Sequence, residues 1–332
     1  MKSLLHLALM PLAAWVLISH NSPAQGLDLF EGQAAPMEMA VTVDDLPAHG
    51  SLSLGSRRVE IGRQLISALK SNGVPEAYGF VNGVGLEWER DNVTVLRDWL
   101  RAGYPLANHT YSHLDPDKVS ASDYIADIEK DDAVLASFAD GSPLVSQRRV
   151  FRYPYLKEGS TREKHDAIHD YLTRHGYTVA PVSIYYVDWA WDEAYVRCVN
   201  ARDQPATQWL RIHVVDAALR EQRHAQQLAK LLFGRDIKHI LLIHIGVLYG
   251  LSTGEILTEF RYRGVRFIPL REALHDPAYQ FNTDLLSAWD KDFLGEVADA
   301  KHVTNPAEDP LYPLSKLEQM CRPRLPRPPA TR

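Results

Sequence analysis

The stretch Ala40-Val41-Thr42-Val43-Asp44-Asp45-Leu46-Pro47 decides how this chain is read. Its first four residues are apolar or β-branched, the composition of a strand. A proline follows, so the strand ends at a turn. Two carboxylates at a strand's C-terminal end cost folding free energy unless something uses them. One can ligate a cation while the other accepts a proton. Neighbouring strand residues point to opposite faces, so the pair divides those jobs unless the turn rotates one of them.

Further short apolar runs at 78–81, 104–107, 149–152, 182–187, 240–244 and 265–268 read as strands beside the first, 39–43. Helical patterns separate them. Residues 59–70 carry Ile61, Leu65, Ile66 and Leu69 at helical spacing and stop at Gly73. Others cover 92–101, 122–138 with Ser122 as its opening cap, 161–174, and 205–233 before Gly234. Alternation of this kind predicts an α/β fold with a parallel sheet, and about seven strand–helix units favour closure as a barrel. After about residue 276 the strand pattern stops; 284–299 reads as a helix packed on the outside. The run Cys321-Arg322-Pro323-Arg324-Leu325-Pro326-Arg327-Pro328-Pro329 reads as extended or disordered.

In parallel α/β folds the chemistry sits beyond the C-terminal strand ends. His109 and His113, in Asn108-His109-Thr110-Tyr111-Ser112-His113, follow the third strand, and their spacing brings both rings to one side in a helical turn or a tight loop. Arg152 ends the fourth strand, Asp188 the 182–187 run, and His244 the run Ile240-Leu241-Leu242-Ile243. Two imidazoles and one carboxylate suit a catalytic zinc, which keeps one position open. The same donor set accepts cobalt, manganese or nickel. The remaining aspartate of the pair then stands as a base, Arg152 as its partner, and His244 as an acid whose ring a carboxylate such as Asp188 holds.

These runs resemble the polysaccharide deacetylases of the NodB-homology type, carbohydrate esterase family 4. That family carries, in order, Thr-Phe-Asp-Asp-Gly, His-Ser/Thr-x-x-His, Arg-x-Pro-Tyr/Phe, Asp-Trp and Leu-x-His. This chain has Thr42-Val43-Asp44-Asp45-Leu46, His109-Thr110-Tyr111-Ser112-His113, Arg152-Tyr153-Pro154-Tyr155, Asp188-Trp189 and Leu242-Ile243-His244. The resemblance spans roughly Met37 to Leu274. It implies a distorted (β/α) barrel. It implies that Asp44 is the general base and that Asp45, His109 and His113 hold the metal. Arg152 would tune Asp44, Asp188 would orient His244 or pair with Arg152, and His244 would be the general acid. Tyr155 would give a backbone N–H to the oxyanion, and Trp189 and Leu242 would wall the pocket for the acetyl methyl. The implied reaction is hydrolysis of acetyl groups by metal-activated water. Polymers or oligomers of N-acetylglucosamine (peptidoglycan, chitin, exopolysaccharide) come first as substrates and O-acetyl xylan next. Cyclic amides or ureides, and non-catalytic carbohydrate binding, are the rivals. Two departures matter: Val43 replaces the phenylalanine, and Leu46 replaces the glycine, where it resists a positive φ and reshapes a wall of the cleft. The segment 190–208, with Trp191, Tyr195 and nearby Trp209, reads as a sugar-stacking surface or as core.

The remaining features place the protein. Of 332 residues, 45% are hydrophobic and 23% charged, ordinary for a globular chain, and a net charge of −6 leaves no basic footprint for nucleic acid. Lys2 precedes a mostly apolar run at 4–18, and Ser22-Pro23-Ala24 offers a cleavage site. That run, about 15 residues, is short of the roughly 20 that span a bilayer. The expectation is an exported protein, periplasmic or secreted, with 1–24 removed as a signal peptide and no later membrane span. The domain occupies 37–275 and an extension 276–332. Cys198 and Cys321 either pair, as an oxidising compartment permits, or remain two buried thiols.

Overall fold

The long apolar run around Thr42 forms the central strand, β1 (Glu38–Leu46), which is buried along almost its whole length. The computed structural model describes residues 36–139, 149–281, 286, 291–305 and 311–322. The leader at 1–24 and the proline- and arginine-rich run from 323 onward lie outside the described residues. The parallel strands β2 (Ala77–Val81), β3 (Leu106–Asn108), β4 (Val150–Phe151) and β5 (Thr178–Val179) follow on one side of β1, and β6 (His239–His244) on the other. A short β7 (Arg266–Phe267) pairs with the start of β1.

The sheet curls until its two edges meet in one segment. Ala180 donates to Phe151 O on the β4 edge, and three residues on, Ser183 and Ile184 donate to Ile240 O on the β6 edge. Residues 178–184 therefore act as a shared stave, and the result is a distorted (β/α) barrel. This corrects the strand expected at 182–187. Pro181 has no N–H for a ladder, only Ile184 bridges β6, and Val187 turns left-handed at φ 48°. The third strand starts later than its sequence pattern because Pro105 likewise cannot donate, although its carbonyl accepts from Gly79.

Helices α1 (Arg58–Ser71), α2 (Gly85–Trp88), α3 (Asn92–Arg101), α4 (Ala121–Ala136) and α5 (Arg162–Arg174) follow β1 to β4 in turn. Then come α6 (Asp188–Asn200), α7 (Gln204–Phe233), α8 (Val247–Tyr262) and α9 (Leu270–Leu274). The cap of α4 is Ser120, not Ser122: its Oγ accepts from Asp123 N and donates to the Asp123 carboxylate. Pro205 in the first turn and Gly234 at φ 70° bound α7. The segment 190–208 is mostly α6. Trp191 and Tyr195 on it are buried, and Trp209 stacks on Trp191 at 5.9 Å, so these aromatics are core.

Beyond β7, α10 (Phe293–Ala300) and α11 (Leu314–Gln319) lie against the barrel. Phe293 N donates to Val182 O, so α10 supports the shared stave. Cys198 on α6 and Cys321 just after α11 form a disulfide across 123 residues, and Arg197 donates to the carbonyls of Leu317 and Met320. No helix among the described residues is long and apolar enough to cross a membrane.

Candidate active site

Register places the chemistry. Strands β1 and β6 run in parallel step from Met39 opposite His239 to Asp44 opposite His244, so the acidic pair and the last imidazole share one end of the barrel. The register between β1 and β2 then slips between Val43 and Leu46, and Asp45 takes φ 63°. This bulge turns Asp45 to the same side as Asp44. Leu46 itself has no positive φ; it is fully buried against Gly79 and does not line the cleft, which corrects the expectation that it reshapes a wall. The positive φ moves to the aspartate instead.

The same backbone device recurs. Among the described residues nine non-glycine positions have positive φ; Asp45, Thr110, His113, Tyr155, Leu156 and Val187 surround this end of the barrel, and the other three follow helices. Such conformations cost roughly 1–3 kcal/mol each and persist where surroundings hold them. Asn82 donates to the carbonyls of both His109 and Thr110, and Ser112 donates to Asp127 through N and Oγ. The 109–113 segment is thus a tight loop, not a helical turn.

Asp44, Asp45, His109, His113, Tyr155, Trp189, Leu242 and His244 line one cavity of about 350 Å³, with Arg152 and Asp188 buried behind it. Asp45 Oδ1 lies 3.5 Å from His109 Nε2 and 3.5 Å from His113 Nε2. It is buried and has no hydrogen-bond partner. His109 Nδ1 is 2.8 Å from Arg152 O. A carbonyl only accepts, so Nδ1 carries the proton and Nε2 offers its lone pair. Burial pushes His109 down from 6.5 to about 4, with nearby Asp44 and Asp45 opposing, so the ring is neutral at pH 7. Asp45 is buried too, which would raise its carboxyl, but His113, His49 and His244 hold it well below the usual range. One ionised carboxylate and two imidazoles whose donor atoms converge are what a divalent cation requires, and the orphaned Oδ1 has no other use here.

Arg152 donates from Nη1 to both oxygens of Asp44 at 3.3 and 3.4 Å, from Nη2 to Thr42 Oγ1, and from Nε to Ala180 O. Every arm of the guanidinium is therefore used in the dry interior behind Asp44. Asp188 does not end a strand; it opens α6 and clasps His244, accepting from its Nδ1 at 2.8 Å and its backbone N at 2.6 Å. Burial alone would depress His244, but Asp188, then Asp45 and Asp44, outweigh it and raise the ring from 6.5 to about 10. Its Nε2 lies 4.0 Å from Asp45 Oδ2. Trp189 Nε1 donates to Tyr185 OH, and the Tyr155 ring meets His113 edge-on at 4.5 Å.

The match to known proteins covers part of this site. Residues 31–180 match the family model for polysaccharide deacetylases. Over this segment the chain is similar to that family. The matched segment contains Asp44, Asp45, His109, His113, Arg152 and Tyr155; Asp188, Trp189, Leu242 and His244 come after it. No curated protein sequence matches the chain. Among solved structures, a family 4 carbohydrate esterase from Streptomyces lividans in complex with acetate is similar at 17% identity and TM-score 0.45, over 72% of this chain and 97% of that one. The chitin deacetylase of the fungal pathogen Colletotrichum lindemuthianum is similar at 20% and 0.46, over 73% and 89%. A peptidoglycan deacetylase from Bacillus subtilis is similar at 18% and 0.45, over 72% and 91%.

Four groups at this site escaped the sequence reading. His49, Tyr185 and Glu193 line the cavity, and Asp192 lies behind it on α6. Asp192 Oδ1 accepts from Leu248 N, and its carboxylate lies so close to Gly246 that a Cβ there would stand 2.5 Å from its Cγ. Burial lifts Asp192 to about 6, against the pull of His49 and the Leu248 N–H. The available signal for His49 was its place four residues after Asp45, just past the Leu46-Pro47 turn. A larger cavity of about 440 Å³ lies beside α1 and α8 and contains none of the metal-ligating or proton-carrying groups.

Proposed function

We propose that this protein is a divalent-metal-dependent hydrolase that removes acetyl groups from an acetylated carbohydrate. Its proposed substrates are polymers or oligomers of N-acetylglucosamine such as peptidoglycan, chitin or an exopolysaccharide. One observation carries the reading: the unpartnered Asp45 Oδ1 and the Nε2 atoms of His109 and His113 converge beside a paired base and acid. Asp45, His109 and His113 would hold the cation, and this donor set favours zinc. A cation there would lower the pKa of a water and polarise an acetyl carbonyl.

The protein's own groups do the rest. Asp44, fixed by Arg152 and 3.8 Å from His109 Nε2, accepts the proton of the attacking water. Tyr155 offers a backbone N–H to the developing oxyanion. His244, its Nδ1 bound to Asp188, faces the cavity with Nε2–H and protonates the departing amine. Trp189 and Leu242 receive the acetyl methyl. The Cys198–Cys321 pair favours export to an oxidising compartment.

Acetate release from an N-acetylglucosamine oligomer, measured with zinc-loaded and chelated protein, tests the proposal. Release that chelation abolishes and Asp44→Asn suppresses is the expected result. Equal release from chelated protein would reject the metal, and no release from either would reject the substrate class.

A further inference from the structure

His49 belongs to none of the five motifs, yet it touches the centre of the site. Its Nδ1 is 2.6 Å from Asp45 Oδ2. A carboxylate that ligates a cation is deprotonated and only accepts, so at this distance Nδ1–H is the donor. The carboxylate thus has one oxygen tied to His49 and the other, Oδ1, buried, unpartnered and turned toward His109 and His113. Among the described residues no other hydrogen bond holds an Asp45 carboxylate oxygen, so without that tie the side chain is free to rotate about χ2 or present both oxygens at once. His49 is itself firmly placed. Its backbone N donates to Ile245 O, and Arg58 donates to the carbonyls of His49 and Gly50. Its ring lies tilted against that of His244, with centroids 4.6 Å apart.

On the metal-site reading above, we infer that His49 is a positioning residue that commits Asp45 to bind the cation through Oδ1 alone. Hydrogen-bonded partners of metal ligands typically contribute a factor of about 10–100 in metal affinity. A different role is geometrically conceivable, because Asp45, His49 and His244 also form a triad of ligand atoms. The Nδ1–Oδ2 separation argues against a second cation there. Two ligand atoms each about 2.0–2.2 Å from one tetrahedral metal stand more than 3 Å apart, whereas 2.6 Å is a charge-assisted hydrogen bond.

The test is zinc affinity and stoichiometry of the whole mature protein, measured by competition with a chromophoric chelator, beside the melting temperature of each metal-free variant. His49→Ala should bind zinc about 10–100-fold more weakly while its metal-free form melts with the wild type. His49→Asn, whose amide nitrogen falls where Nδ1 lies, should stay within a few-fold of wild type. His49→Gln, whose amide falls nearer Nε2, should not. If wild type binds zinc, Asp45→Asn loses it, and both His49→Ala and His49→Gln bind as wild type does, the positioning role is overturned and the metal site stands. Two zinc ions per chain, one of them lost in His49→Ala, would make His49 a ligand and overturn it as well. Wild type that binds no better than Asp45→Asn would overturn the metal-site reading itself and this inference with it.

Discussion

The two sides of the cavity come from different parts of the chain and are held in different ways. The side that falls within the segment matched by the family model is made of strand ends and short loops: Asp44, Asp45, His109, His113, Arg152 and Tyr155. Its groups are set by left-handed residues locked by nearby partners such as Asn82 and Asp127. The other side is made of regular structure, Asp188 and Asp192 one turn apart on α6 and His244 at the end of β6. It leans on later chain, with α10 behind the shared stave and α11 stapled to α6 by the disulfide. The lesson is a division of labour: on the proposed mechanism the first side holds the cation and the base, and the second supplies the leaving proton and depends on distant support.

The largest expected effect separates holding the cation from using it. Asp44→Asn should lower kcat about 10²–10⁴-fold while zinc affinity stays within a few-fold; parallel loss of both in acetate-release and chelator-competition assays would merge the two roles. Next is the support. Replacing Cys198 and Cys321 together with serine should cost about 2–5 kcal/mol in urea denaturation, with zinc affinity at 25 °C preserved. Zinc affinity that fell in step would mean that the first side needs the second. Asp188→Asn should reduce kcat about 10–100-fold, less than loss of the base, because the ring of His244 stays but loses the carboxylate that holds its proton; its zinc stoichiometry should remain that of wild type. The smallest effect concerns α10. Burial, with Glu158 and Asp292 nearby, raises the Glu296 carboxyl from 4.5 to about 8. The unfolded chain gives up that proton near 4.5 and the folded chain near 8, so Glu296 costs stability as pH climbs through this window. Glu296→Gln should therefore melt with wild type at pH 4 and above it at pH 9. A gain equally large at both would show that charge is not the cause.

Much of this was readable in the residues because chemistry at strand ends is conspicuous against apolar strands. Asp44 and Asp45 interrupt a buried run, His109 and His113 share a four-residue spacing, and α3 is bounded where its pattern stops. What escaped depended on tertiary neighbours. A lone histidine such as His49 reads as any surface histidine until Asp45 bulges out of its strand. Asp192 reads as an ordinary helix acid until Gly246 approaches it. The 182–187 run looked like a strand because its residues are apolar, but Pro181 and the jump between sheet edges deny it a ladder. Leu46 drew attention for the wrong reason, since the strained φ sits one residue earlier.

The left-handed residues around the cavity also bear on how this protein would respond to attempts to toughen it. Six positions that local energetics would award to glycine are occupied by side chains, one of them the β-branched Val187 that precedes Asp188. A screen that rewards heat tolerance alone would find some of its easiest gains along this rim. Each such gain would loosen the walls around the cleft, so the route to a sturdier protein should be sought on the far face of the barrel, away from the places where stability has been given up for shape.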